Sequence, residues 1–217
     1  MVEYVYYHGN KNYSSWSMRG WLALKLAGAE FEEVGFHLGE QGVREKIRRH
    51  SPTGKVPALR HRDKVIWDSM AICEYLAERF PEAGMWPGDP MDRATARSIC
   101  AEMHSGFPAL RENMPFNVRR SSPGIGRAPG VQEDIDRISE IWRGCRASRG
   151  NEQPFLFGRW CLADVMYAPV VSRFRTYAVD LDEFSRAYRA AVWGQEHVRE
   201  WCAAAEAESW VEPCFDL

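Results

Sequence analysis

The sequence contains no apolar run of the roughly 18 residues needed to cross a membrane. Its first residues, Met1-Val2-Glu3-Tyr4, do not join a basic stretch to an apolar core, so we expect no secretory signal. The formal net charge is only −2, so no strong field would draw the chain to nucleic acid or anionic lipid. These absences predict a cytoplasmic protein that has neither nucleic acid nor a membrane as its partner.

Cysteine pairs with a redox or metal-binding spacing are also missing. None of the cysteines forms a C-x-x-C pair, and none stands at zinc-ligand spacing from a histidine. We therefore expect no metal site, and free, mostly buried thiols in a reducing compartment. The cysteines are Cys73, Cys100, Cys145, Cys161, Cys202 and Cys214.

What the sequence does contain is an ordinary globular composition, 45% apolar and 27% charged, over 217 residues. Residues 1–82 alternate short strand-like runs with amphipathic stretches, in the order β-α-β-α-β-β-α. Helices between the early strands predict parallel pairing, and the closing hairpin predicts an antiparallel edge, which together form a thioredoxin-like α/β domain. The strands are predicted at Val2–His8, Phe31–Phe36, Val56–Arg60 and Lys64–Trp67, and the helices at Ser15–Ala27, Glu40–His50 and Asp68–Phe80.

A turn-rich segment separates this region from the rest of the chain. Glu82–Pro90 is rich in proline and glycine, so we assign residues 83–91 to a linker. Residues 92–217 show helical periodicity and are predicted to form an all-α domain. Its helices are predicted at Met91–Asn117, Val131–Ser148, Cys161–Tyr177, Glu183–Ala191 and Gln195–Ala207.

Serines cluster where the first strand gives way to the first helix. Ser14 stands at the N-cap position, where its plain role is to accept a backbone N–H. The spacing Ser14-x-x-Ser17 matches the C-x-x-C of thioredoxins, but serine cannot exchange disulfides. A serine hydroxyl can instead donate a hydrogen bond to the thiolate of a ligand, and the helix N-terminus adds positive potential.

Two further features point to a small, peptide-like ligand. Lys55-Val56-Pro57 precedes the third strand, where proline suits a sheet edge. A cis Val56–Pro57 bond would instead aim the Val56 backbone at a ligand that adds a strand. Asp68-Ser69 begins the third helix, either as a simple cap or as a site for a carboxylate and an ammonium group. A ligand with a thiol, a central peptide and a terminal amino acid satisfies all three places, and glutathione is that ligand.

In this order and spacing, the motifs resemble those of cytosolic glutathione transferases along nearly the whole chain. The stretch Ser14-Ser15-Trp16-Ser17-x-Arg19 is similar to the S-S-C-S-x-R motif of zeta-like, serine-type bacterial members. The Val56-Pro57 pair looks like the family's V-P, and Asp68-Ser69-x-Ala71-Ile72 like its E/D-S-x-A-I.

A fourth match lies in the second domain. The stretch from Phe157 to Asp164 resembles the family's buried capping box, with Cys161 in place of the usual Ser or Thr. Because sulfur is a weak acceptor, we expect this cap to be weaker by about 1 kcal/mol.

The resemblance implies a role for each of these residues toward glutathione. Ser14 would stabilise the thiolate, with Ser15 and Ser17 as rivals. Val56, beside Pro57, would pair with the cysteinyl backbone. The γ-glutamyl end would be held by Asp68 and Ser69, and the candidates for the glycyl end are Lys55, Gln41 and His50.

The resemblance also implies a pocket for a second substrate. The candidate residues are Trp16, Arg19, Met103, His104, Phe107, Arg119 and Arg173. Met103 and Phe107 are at least as well explained as core residues, and Arg119 as a solvated one. Trp16 departs from the zeta-class cysteine, and the arginine of its isomerases aligns with Thr176, which leaves isomerase identity open.

By resemblance, the chain is expected to be a glutathione transferase whose thiolate attacks a small electrophile in the cleft between the domains. Isomerisation of the maleylacetoacetate type and peroxidase activity stay open, as does a non-catalytic glutathione-binding or interaction module. No metal is implied, and glutathione acts as co-substrate. Proteins of this type usually pair with two-fold symmetry, so a homodimer is expected.

Overall fold

The computed structural model describes residues 2–147 and 153–212. The chain forms two compact units. The first consists of the residues up to Met85 together with those from Glu200 onward, and the second runs from Trp86 to Arg199. The sequence places all of residues 92–217 in the helical domain. The structure instead groups the end of the chain with the first unit, because its side chains bond to the loop after the first strand.

The first unit is built on a four-stranded mixed sheet in the order β2-β1-β3-β4. Strand β1 pairs in parallel with β2 and antiparallel with β3, which pairs antiparallel with β4. This confirms the predicted thioredoxin-like layout. The strands are β1 (Tyr4–Gly9), β2 (Phe31–Phe36), β3 (Ala58–His61) and β4 (Lys64–Ile66).

Strand β1 is the centre of this core, because its apolar and aromatic side chains are buried on both faces of the sheet. On one face, Val5 and Tyr7 pack with Ala58. On the other, Tyr6 reaches the first helix, where its hydroxyl donates to the carbonyl of Ser17. The helices of the unit are α1 (Ser15–Ala27), α2 (Val43–Arg48) and α3 (Ser69–Arg79).

One edge of the sheet collects three chain segments. Tyr7 of β1 pairs with Ala58, the first residue of β3. Leu59 pairs with Ile66, the last residue of β4. The end of β1, the start of β3 and the end of β4 therefore lie side by side, and the residues that follow or precede them share this edge.

The second unit is helical, as predicted. Its helices are α4 (Pro90–Ser105), α5 (Pro108–Asn113), α6 (Val131–Ala147), α7 (Leu162–Thr176) and α8 (Glu183–Gly194), and α9 (Glu196–Ala207) continues into the first unit. Among the helices that the structure describes, none is long and apolar enough to span a bilayer.

The single helix predicted over Met91–Asn117 is wrong, because the chain breaks between α4 and α5. Phe107 has a left-handed backbone with φ 62°, and Pro108 starts the next helix. A proline ring cannot continue the α4 hydrogen-bond ladder. Arg111 spans the break, because its Nε donates to the carbonyl of Gly106, the C-cap of α4, at 2.9 Å.

The predicted capping box is present at the start of α7. Asp164 has no exposed surface and accepts the Cys161 N–H at 3.0 Å. It also accepts the N–H of Leu156 and the hydroxyl of Tyr188, each at 3.0 Å. The cysteines in the described part of the chain are free and buried. Cys214 lies outside the described residues.

Candidate functional site

The junction of β1 and α1 carries a pair of bonded serine hydroxyls. Ser14 is the N-cap of α1, and its Oγ accepts the Ser17 N–H at 3.3 Å. The Ser14 hydroxyl donates to Ser17 Oγ at 2.7 Å. Ser17 Oγ also accepts the N–H of Gly9, the last residue of β1, at 3.1 Å. The two serines therefore tie the helix start to the strand end.

The three serines of this junction differ in how much of their surface is exposed, and this limits the role that each can have. Ser17 is completely buried, whereas Ser14 and Ser15 each retain 6% of their surface. Because the Ser17 oxygen already accepts from Gly9 and Ser14, it supports the junction from inside. Ser14 and Ser15 are the two that keep some contact with solvent.

The electrostatic setting of this junction favours an anion. The first turn of α1 contains no acidic residue, so the positive end of the helix dipole is not offset there. Beneath it, burial raises the pKa of Tyr6 well above its ordinary value, so the hydroxyl that bonds to Ser17 keeps its proton.

Arg19 adds a positive charge close to the same helix start. It has no exposed surface, and its Nη1 donates to the Ser15 carbonyl at 3.3 Å. Its guanidinium lies 4.6 Å from the centre of the Trp16 ring. In this structure Arg19 supports Ser15 and Trp16 from within the first unit, and a role toward a second substrate stays a prediction.

Val56 and Pro57 stand just before β3, at the sheet edge where β1 ends. Their peptide bond is cis, as the sharper interpretation of the sequence predicts. Pro57 is buried and Val56 is half-buried. Because Ala58 pairs with Tyr7, the two residues lie beside the end of β1 that leads into the serine junction.

Asp68 and Ser69 follow β4 at the same edge. Asp68 is exposed and caps α3, accepting the N–H of Met70 at 2.9 Å. Ser69 retains only 1% of its surface, and its hydroxyl has no hydrogen-bond partner within the described part of the chain. A buried hydroxyl without a partner is costly, so this oxygen is suited to a polar ligand.

The structure does not single out one residue for the glycyl end. Gln41 and Lys55 are exposed, and His50 is half-buried. The His50 ring stacks on Tyr7, with the ring centres 4.6 Å apart. All three candidates remain predictions.

The other predicted pocket residues belong to the second unit. Met103 and Phe107 are buried, which fits their interpretation as core residues. His104 is half-buried and Arg119 is exposed. Arg173 is buried, and its Nε donates to the Met114 carbonyl at 2.9 Å. Burial lowers the Arg173 pKa to about 9. A role in binding a second substrate stays a prediction for each of them.

Sequence reasoning missed the end of the chain. Glu208 and Glu212 bond to the loop between β1 and α1, about 200 positions earlier in the sequence. No local motif marks either glutamate, because a carboxylate that accepts backbone N–H groups needs no particular neighbours in sequence.

Comparison with known proteins supports the resemblance to glutathione transferases. A family model for the "Glutathione S-transferase, N-terminal domain" matches residues 13–79. Maleylacetoacetate isomerase of Rattus norvegicus is 29% identical over 222 residues, which cover 98% of this chain and 92% of the relative. Maleylpyruvate isomerase of a Ralstonia species is 28% identical over 219 residues, covering 92% and 99%.

Solved structures share the fold. The holo structure of maleyl pyruvate isomerase, a bacterial zeta-class glutathione S-transferase, matches with a TM-score of 0.72 at 23% identity. The match covers 94% of this chain and 99% of that one. The chain therefore contains a glutathione S-transferase N-terminal domain over residues 13–79, and along nearly its whole length it is similar to maleylacetoacetate and maleylpyruvate isomerases.

Proposed function

We propose that the chain is a glutathione transferase that holds the sulfur of glutathione as a thiolate at the start of α1. The observation that carries this proposal is the Ser14–Ser17 hydroxyl pair, bonded at 2.7 Å at the start of a helix whose first turn contains no acidic residue. In this scheme Ser14 turns its hydroxyl toward the sulfur and donates a hydrogen bond. Ser17 and Gly9 keep Ser14 in place.

Residues at the same sheet edge would bind the rest of the tripeptide. The Val56 backbone would pair with the cysteinyl residue as an added strand. The buried Ser69 hydroxyl would gain a partner in the γ-glutamyl carboxylate, and exposed Asp68 would meet the ammonium group. With the ligand held along this edge, the thiolate attacks an electrophile at an effective concentration far above that in solution.

A glutathione-dependent isomerase of a cis-unsaturated diketo acid is the second candidate. The relatives named maleylacetoacetate and maleylpyruvate isomerase favour it, because they match nearly the whole chain. The thiolate would add to the double bond and leave after rotation, so the serine site serves both reactions. Assays with maleylacetoacetate and with a generic aromatic electrophile separate the two activities.

Replacing the serines one at a time tests the thiolate site. Ser14→Ala should raise the pKa of the bound thiol, followed by the ultraviolet absorbance of the thiolate, while calorimetry still detects glutathione binding. A hydrogen bond to a charged group contributes about 1.5–3 kcal/mol, so turnover should fall about ten- to hundred-fold.

The controls distinguish the serines from one another. Ser15→Ala tests the rival, and Ser98→Ala removes an exposed hydroxyl of α4 that should not matter. A loss confined to Ser15→Ala would move the role to Ser15. If wild-type protein binds glutathione without lowering its thiol pKa, the thiolate proposal is wrong.

The Ser69 hydroxyl provides a separate test of ligand binding. Because this hydroxyl is buried with no partner among the described residues, Ser69→Ala should not lower the free energy of unfolding of the ligand-free protein. It should nevertheless raise the KM for glutathione and leave kcat similar. Equal KM values for the variant and the wild type would place the γ-glutamyl end elsewhere.

We also propose that the protein acts as a homodimer in a reducing compartment, the cytoplasm. The dimer is supported by the family assignment alone. The compartment is supported by the free, buried cysteines of the described residues. Light scattering on the eluting protein over a range of concentrations tests the dimer.

A further inference from the structure

The last described residues form a strap along the loop that leads into the serine site. This C-terminal strap, Glu208–Glu212, follows α9 and belongs to the first unit. It lies against the serine loop, Gly9–Tyr13, which joins β1 to α1. The hydrogen bonds involve both backbone and side-chain groups of the loop.

Glu208 binds the serine loop through both of its carboxylate oxygens. Oε1 accepts the Lys11 N–H at 2.9 Å, and Oε2 accepts the Asn12 N–H at 3.2 Å. Carboxylates that accept from backbone N–H groups form stronger bonds than neutral acceptors do. One side chain therefore fixes two consecutive residues of the loop.

Glu212 makes the second attachment, and only 4% of its surface is exposed. Its Oε1 accepts the Asn10 side-chain amide at 3.3 Å and the Gly39 N–H at 2.6 Å. The same oxygen lies 3.1 Å from His37 Nε2. The backbone N–H of Glu212 donates to the Tyr13 hydroxyl at 3.2 Å. Glu212 thus joins the serine loop to the loop that follows β2.

The restrained residues lead directly to Ser14. Asn10 has no exposed surface, and its carbonyl accepts the N–H of Ser14 at 2.9 Å and that of Tyr13 at 3.2 Å. A shift of Asn10 therefore moves the helix cap and the hydroxyl it carries. Displacements of about 1 Å at a reacting group cost up to about a hundredfold in rate.

We propose that Glu208 and Glu212 are positioning residues for the thiolate site, which hold the serine loop so that Ser14 faces the sulfur of glutathione. This inference rests on the proposed function of the Ser14–Ser17 pair. Neither glutamate touches the reacting atoms in this scheme. Glu208 acts through the backbone of the serine loop, and Glu212 acts through the side chains of Asn10 and Tyr13.

Charge and position predict opposite effects when a glutamate is removed. If the two carboxylates acted only through their negative field, removing one would favour the thiolate and lower the thiol pKa. If they act by holding the loop, removal misplaces the Ser14 hydroxyl and raises the thiol pKa. The sign of the change therefore separates the two explanations.

The experiment measures the pKa of glutathione bound to Glu208→Ala in the full-length chain, from the absorbance of the thiolate. We expect a rise of about one unit and a fall in kcat at neutral pH of about tenfold, with glutathione affinity little changed. Glu208→Gln retains one acceptor oxygen and should recover part of the loss. Glu206→Ala is the matched control, because Glu206 is exposed on α9 two positions earlier.

Gly39→Ala tests the second attachment without removing a charge. A Cβ at this position would lie 1.9 Å from Glu212 Oε2, so the Glu212 carboxylate must move away. We expect a similar rise in thiol pKa. Gly88→Ala is the control, because an added Cβ there meets no atom within 4 Å.

The outcomes separate this proposal from the function on which it rests. A thiol pKa that falls, or stays at the wild-type value, in Glu208→Ala and Gly39→Ala overturns the positioning role and leaves the serine site intact. A wild-type protein that does not lower the thiol pKa overturns both. Glu208→Gln and Gly39→Ala preserve the test if Glu208→Ala does not fold.

Discussion

Asp164 makes the stability of the helical unit depend on pH in an unusual direction. Its carboxyl group is completely buried, and burial raises the Asp164 pKa from 3.8 to about 6. Hydrogen bonds from Leu156, Cys161 and Tyr188 act in the opposite direction and only partly offset the burial. The folded protein therefore binds a proton that the unfolded chain has already released.

The raised pKa determines the direction in which the free energy of unfolding changes with pH. Stabilisation by the protonated group is complete below the unfolded pKa of 3.8 and is lost as the pH rises through about 6. The shift is about two units at about 1.4 kcal/mol each, so about 3 kcal/mol is lost by neutral pH. Asp164→Asn does not titrate, so its free energy of unfolding lacks this contribution.

Urea unfolding of wild type and Asp164→Asn, followed by tryptophan fluorescence from about pH 4 to pH 7.5, measures the effect. The difference in free energy of unfolding, wild type minus variant, should fall by about 2.5 kcal/mol across this range, because at about pH 4 the unfolded chain has already released part of its proton. Titrations elsewhere cancel in the difference. A difference that is flat or rises with pH would refute the reasoning.

Asp182→Asn provides a control with the opposite sign. Burial raises the Asp182 pKa, but hydrogen bonds from Ser185 and Arg143 outweigh burial, and the pKa is lowered overall. For this residue, stability should be lost as the pH falls. The difference between wild type and Asp182→Asn should therefore rise with pH.

Two substitutions test other contacts. Cys161→Ser replaces a weak sulfur acceptor at the α7 cap with an oxygen. The free energy of unfolding, measured in urea titrations, should therefore rise by about 0.5–1 kcal/mol. An unchanged or lower value would mean that sulfur does not weaken this cap. Gly20→Ala places a Cβ 2.6 Å from the Tyr6 hydroxyl, which bonds to Ser17. It should lower the thermal midpoint by an amount corresponding to about 1–3 kcal/mol, whereas Gly194→Ala, with open space around it, should not.

Local sequence signals predicted the elements of the first unit well. Alternating and helical periodicity located each strand and helix, and the turn residues between them separated the elements. The predicted thioredoxin-like order was therefore confirmed. In the second unit, helical periodicity predicts one continuous helix over Met91–Asn117, but the chain breaks between Ser105 and Pro108, where a glycine and a proline interrupt it.

The sequence by itself determined three motifs, because each is contiguous in the chain and depends on local backbone chemistry. They are the serine stretch, the Val56-Pro57 pair and the Asp68-Ser69 cap. Only the tertiary structure decided that they share one sheet edge. It also decided that, among the described residues, the buried Ser69 hydroxyl has no partner while the buried Ser17 hydroxyl has two. Likewise, only the tertiary structure shows that Glu208 contacts the serine loop. Backbone N–H groups are alike at every residue, so no local pattern shows which distant carboxylate will accept them.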